Sequence, residues 1–215
     1  VVRQNERIDN QVTNLQPTYF SSSKLSFINN RKLIFEGGNE YHRFDVSSVY
    51  AASYGLAGVH YNRDAYDAYL VPYTRPSTYL YEPDVNGKFL INFQEAFSDI
   101  DTEADYVRVH FAFDAAPFFD GQMYVGGDWN YNLQDNNSRM QYVVEDKQYT
   151  LTAFLKQGGY NYQYWFVPKN QTVATTTRTD GSFWQTQNEY TIYVYHRAWG
   201  ERYDKLIGVQ VIENK

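Results

Sequence analysis

The chain has no cysteine. That removes disulfides, thiolate nucleophiles and zinc–thiolate sites together. It leaves the compartment open, because an oxidising space and the cytosol both tolerate a thiol-free protein. No stretch approaches 18 uninterrupted apolar residues, so the sequence holds no transmembrane helix. The 19 basic residues form no run or stripe and the net charge is −6, a pattern that argues against a nucleic-acid partner. The chain opens at Val1 without a charged-then-apolar leader, which reads as a processed product whose targeting signal is gone. Helical periodicity is almost missing.

What is present is aromatic. Ile, Leu and Val together number 37, fewer than the 40 Phe, Trp and Tyr residues. Rings suit a pleated, half-buried surface, so the balance favours strands. Val107, Val109, Phe111 and Phe113 share one face of an alternating segment, with Arg108 and His110 on the other. Tyr190–His196 alternates similarly. Further strands are expected at Lys32–Phe35, Tyr66–Val71, Lys88–Asn92, Gln122–Val125, Tyr149–Phe154 and Tyr160–Val167. Turn dipeptides separate them: Asn29-Asn30, Asn86-Gly87, Asp120-Gly121, Gly158-Gly159 and Asp180-Gly181. The pattern predicts an all-β chain of two β-sandwich-like domains. The acidic, strand-poor stretch Phe97–Asp105 marks the expected division, giving residues 1–100 and 104–215.

Seven ordered motifs carry a resemblance over nearly the whole chain. They are Gln4–Asn10, Phe35–Phe44, Asp84–Gly87, Ala104–Phe111, Leu155–Tyr164, Thr186–Tyr190 and Arg202–Gly208. In this order they resemble the type IX secretion system plug protein family of Bacteroidetes, long described as a domain of unknown function. The resemblance implies the C-terminal part of such a protein. It further implies a periplasmic location, no catalysis and no cofactor. The implied partner is an outer-membrane β-barrel translocon protein whose periplasmic mouth the plug closes, without insertion into the membrane.

The second half carries another likeness. Met123–Asn130 followed by Gly158–Tyr164 resembles the early-set immunoglobulin-like fold of glycogen-binding-type carbohydrate modules. Trp129 matches that motif's buried ring. The position that stacks on sugar falls on Asn132, and the position of the basic sugar contact falls on Gln163. Tyr131 is the neighbouring ring that could substitute. The alternative function is therefore a carbohydrate-binding module for glucan-type polysaccharide, although the resemblance lacks its stacking ring and basic group.

The remaining constellations read as structural. His42, His60, His110 and His196 are too scattered for metal-ligand spacing, and no Gly-x-Ser-x-Gly elbow signals a serine hydrolase. Glu36 and Glu40 flank Gly37, Gly38 and Asn39, which suit a tight turn. Arg43 or Arg7 is the expected partner for such a carboxylate. Asp99, Asp101, Glu103 and Asp105 read as a solvated linker rather than a calcium loop. Within Tyr160–Phe166, alternation puts Trp165 on the polar face with Asn161 and Gln163. Trp165, Trp184, Trp199 and Tyr131 are the expected partner anchors, because Trp and Tyr dominate binding hot spots.

Overall fold

In the computed structural model, which describes residues 1–51 and 53–214, strands are numbered along the chain. They begin with β1 (Val2–Gln4), β2 (Tyr19–Phe20), β3 (Leu25–Ser26), β4 (His42–Asp45), β5 (Leu56–Asn62), β6 (Ala65–Leu70) and β7 (Tyr73–Thr74). They continue with β8 (Phe89–Ile91), β9 (Tyr106–Asp114), β10 (Gly121–Gly126), β11 (Gln141–Val143) and β12 (Gln148–Lys156). The last three are β13 (Gly158–Pro168), β14 (Glu189–His196) and β15 (Lys205–Glu213). A single four-residue α-helix, α1 (Ile100–Glu103), interrupts them among the described residues. The all-β expectation holds. The segment expected as a strand at Lys32–Phe35 is different: Arg31–Leu33 is a 3-10 turn, capped by the Asn30 side chain on the Lys32 N–H at 3.0 Å.

The chain divides into two compact units, but not where the acidic stretch suggested. One unit is Gly38–Thr186 and the other joins Val1–Gly37 to Gln187–Lys215. The expected split near residues 97–106 would cut a sheet in two, because β6 pairs in parallel with β9, Tyr66 opposite Val107 and Tyr69 opposite His110. It would cut a second sheet as well, since β4 pairs with β13. The acidic stretch misled because Asp99 and Glu103 within it organise a short helix rather than a loose spacer. Asp99 caps α1 through the Asp101 N–H at 3.0 Å. Glu103 accepts from the Ser98 hydroxyl (2.6 Å) and from the backbone N–H groups of Phe97, Ser98 and Asp99. These bonds, the Ser98 hydroxyl first, hold the Glu103 carboxyl down to about 2.

The central unit is a sandwich. One sheet runs β11-β12-β9-β6-β5, with β7 added beside β9, and the other runs β10-β13-β4, with β8 beside β13. A single core lies between them: Val107, Val109, Phe111 and Phe113 from β9 meet Tyr160, Tyr162, Tyr164 and Phe166 from β13. The alternation read from β9 is thus the packing pattern. On its outer face, Arg108 forks onto Asp67 at 2.8 and 3.1 Å, and His110 sits 2.7 Å from the same carboxylate.

β13 departs from simple alternation. Every residue from Tyr160 to Phe166 is buried. Asn161 and Gln163, which read as a solvent face, fasten covering segments: Asn161 Oδ1 accepts from the Val85 N–H at 2.6 Å, and Gln163 Nε2 donates to the Asn39 carbonyl at 2.6 Å. Trp165, two residues beyond Gln163, is fully buried, its Nε1 3.2 Å from Gln163 Oε1. Gly126, on the paired strand β10, makes room for that indole. A Cβ there would lie 2.3 Å from two ring carbons. Gly126→Ala should therefore lower stability by roughly 1–3 kcal/mol, the usual cost of overpacking a filled core. The measurement is a urea unfolding midpoint followed by tryptophan fluorescence, and an unmoved midpoint would show that the ring has room to shift.

Candidate functional site

The densest polar constellation of the central unit lies where Gly38–Tyr41, Asp84–Lys88 and Ala174–Thr186 are fastened to β4 and β13. Its centre is His42 on β4, whose Nε2 stands 2.7 Å from Asp180 Oδ1. The Asp180 side chain is completely buried. Three tyrosine rings surround the imidazole: Tyr73 at 4.1 Å, Tyr162 at 5.3 Å and Tyr164 at 6.0 Å between centroids. Burial, and then the Asp180 charge, push the Tyr73 hydroxyl far above its ordinary value, so it stays protonated. An imidazole–carboxylate pair is a familiar acid–base device, but acid–base work needs the imidazole within reach of a substrate. Here the pair instead ties a loop residue to a strand residue.

The Phe35–Phe44 segment, expected to be structural, feeds this constellation. No hydrogen-bonded turn forms over Ile34–Tyr41, although Gly38 does take a left-handed φ of +67°. The boundary between the two units falls between Gly37 and Gly38. Gly37 offers its carbonyl to Asn188 Nδ2 at 2.8 Å. The Gly38 carbonyl accepts from the Phe183 N–H and the Thr186 hydroxyl, both at 2.8 Å. Asn39 is buried and donates through Nδ2 to the Asp180 carbonyl at 2.9 Å. Glu40 is buried and accepts from the Tyr79 hydroxyl. Glu36 is exposed, and its carbonyl takes a 2.8 Å bond from Gln4 Nε2.

Arg7 forks onto Asp9 at 2.7 and 3.0 Å. Arg43 lies 4.2 Å above the Tyr54 ring. With Tyr54, Lys88, Phe89 and Leu90 it lines an open groove of about 490 Å³. Gly159 contributes to that lining, and no atom lies within 4 Å of where its Cβ would stand. Sequence reasoning missed this groove, because Gly158-Gly159 read only as a turn.

The four expected partner anchors separate. Trp165 is corrected: it is sealed beside Gly126 and presents nothing to a partner. Tyr131, Trp184 and Trp199 stand out, with relative exposures of 77%, 86% and 105%. Tyr131 adopts φ +56° at the end of the 3-10 turn Asp128–Asn130. The sugar-stacking position behaves differently. Asn132 is buried and donates to Asp128 Oδ1 at 2.8 Å, Gln163 is buried on Asn39, and Trp129 stacks on core Phe111 at 6.0 Å. Of the histidines, His110 belongs to the six-stranded sheet and His196 to the three-stranded sheet of β1, β14 and β15. Among the described residues, no group of three or more His, Asp or Glu side chains is arranged to hold a metal ion. No described helix is long and apolar enough to cross a membrane.

Comparison with known proteins adds a solved structure. No family model matches the chain, and no curated protein matches it. A solved crystal structure of a hypothetical protein from Parabacteroides merdae ATCC 43184 superposes with a TM-score of 0.95 at 42% identity. The match covers 99% of this chain and 54% of that one. The chain thus spans about half the length of that neighbour.

Asp84 supplies a test of the constellation. Its carboxylate accepts from the N–H groups of Tyr41 and Asn86. Burial nonetheless pushes it up to about 6 from an ordinary 3.8. Between those values the folded state keeps a proton that the unfolded chain has released. The Asp84 contribution to stability therefore falls as pH rises from about 4 to about 6, and the loss is complete above that. Asp84→Asn should flatten this part of the pH–stability curve in urea unfolding. An equal decline in the variant would place the titration on another group.

Proposed function

We propose that the chain is a non-catalytic interaction module of a plug protein of the type IX secretion kind, acting in the periplasm. Its work is steric: a folded body held in the mouth of an outer-membrane β-barrel translocon by surface contacts. The observation that carries this reading is the division of labour among side chains. The groups capable of chemistry are engaged internally, as in His42–Asp180 and Asp67 with Arg108 and His110. Large rings at Tyr131, Trp184 and Trp199 are presented to solvent instead. Exposed Trp and Tyr lose much apolar surface to a partner and order few rotamers in doing so, which is why they serve as anchors. The seven ordered motifs supply the identity of the partner.

The test is electrical. Added to a purified translocon barrel in a planar bilayer, the full-length protein should close the open channel. Trp184→Ala and Trp199→Ala should each weaken closure by about tenfold or more, the effect of losing a hot-spot residue. An unaltered current at saturating protein overturns the reading.

The reading also carries a negative expectation for glucans. Stacking supplies much of the apolar contact with a sugar, and Asn132 has no ring. We expect calorimetry to detect no binding of maltoheptaose or cellohexaose at millimolar ligand. Binding abolished by Tyr131→Ala would shift the assignment to a carbohydrate module.

A further inference from the structure

The unit formed by Val1–Gly37 and Gln187–Lys215 covers β1 and β14 with Arg3, Glu6 and Phe35, and leaves most of β15 in solvent. Its strands run in the order β1-β14-β15. The buried side chains it holds are polar: Gln4, Asn5, Arg7, Asn188 and Thr191. Among the described residues, no apolar side chain of this unit is buried. Its apolar groups are half-buried at best, and the most exposed run is on β15, where Leu206, Ile207, Val209, Val211 and Ile212 are each 44–62% exposed. Register places Val209 opposite Tyr193 and Val211 opposite Thr191 on one face, and Ile212 opposite Tyr190 on the other.

β15 is also an edge. It pairs with β14, and among the described residues no strand pairs with its other side. Proteins normally blunt such an edge with a central charge, a proline, a bulge or a short strand; β15 has a single bulge, at Ile207. β15 is nine residues long, and its charges stand only at the ends, Lys205 and Glu213. Leu206–Ile212 between them carries neither charge nor proline. A sheet with an apolar face is stable only when another layer buries it.

We propose that β15 is an intramolecular docking strand. Its occupant is a β-sheet supplied by a part of the longer protein that these 215 residues do not span, one strand adding along the free edge beyond the bulge and apolar side chains covering Val209 and Val211. The choice of occupant rests on length: the superposable Parabacteroides merdae chain has 46% of its residues outside the match, since 54% is covered. That is ample for a second layer. The proposal is independent of the channel-plug reading.

Hydrogen exchange with mass spectrometry tests it on two proteins as they exist: the whole Parabacteroides merdae protein and the 215-residue chain. An edge strand leaves every second amide unbonded, so in the short chain the peptide over Leu206–Ile212 should exchange in a fast and a slow class. In the whole protein the matching peptide should lose its fast class, with protection roughly 100-fold greater. Replacing the residue matched to Val209 by Lys in the whole protein should restore fast exchange there, and replacement by Thr should not. Equal exchange in the two proteins overturns the proposal. So does a short chain that is a dimer by light scattering with β15 already protected, because the occupant is then a second copy. A Lys variant of the whole protein with unchanged protection also overturns it.

Discussion

β13 is the strand on which the central unit depends, because it is buried on both faces. One face must be apolar to meet β9, and the other must satisfy whatever covers it. Tyr160, Tyr162, Tyr164 and Phe166 meet the first demand. Asn161 and Gln163 meet the second by holding loop backbone that would otherwise be buried without partners, with Trp165 packed beside them. The two demands fix the register of both neighbours. Gly126 lies opposite Gln163 on β10, and Phe44 lies opposite Tyr160 on β4. A shift of one residue would push the Tyr row into the cover and the Asn–Gln row into the core.

The use of tyrosine in place of aliphatic residues follows from the same strand. A tyrosine buries a large ring while its hydroxyl reaches backbone at the edge of the core. Tyr164 donates to the Ala112 carbonyl at 2.9 Å, across to β9, and Tyr160 donates to the Lys156 carbonyl at 2.5 Å. Tyr149 accepts from the Phe118 N–H at 2.5 Å. Burial raises the hydroxyls of Tyr160, Tyr162 and Tyr164, so these donors remain protonated. The core is therefore cross-linked by hydrogen bonds as well as packed, without a charged group at its centre.

These features explain what could be read from sequence. The alternation on β9 was legible because one face is apolar and the other carries charge, so pattern and burial coincide. The buried second face of β13 was not legible, because Asn and Gln look alike whether they face water or fasten a loop. The same ambiguity made Trp165 read as an anchor when its neighbour Gly126 had been spent on seating it. Domain organisation was misread for a different reason. A run of Asp and Glu has the composition of a linker, and only geometry shows Glu103 gathering three backbone N–H groups into a helical cap. The pairing of Gly37–Gly38 with Thr186–Gln187 as the two crossings between units joins positions about 150 residues apart, which local pattern cannot reveal. His42–Asp180 is likewise a meeting of distant positions, and scattered histidines gave no local signal for it.

The two units obey opposite rules of burial, and the contrast bears on what the protein is for. The central unit packs a ring-rich core and fastens its loops to β13 internally, while Tyr131 and Trp184 stand in solvent. The other unit buries amides and an arginine–aspartate pair while leaving a row of aliphatic side chains in water. Apolar exposure on this scale along one strand is costly in isolation. The intramolecular cover proposed for β15 would take this row out of water. On the proposed steric reading, the sandwich is the folded body and the β15 sheet a surface by which it is held, and neither role calls on a reactive group.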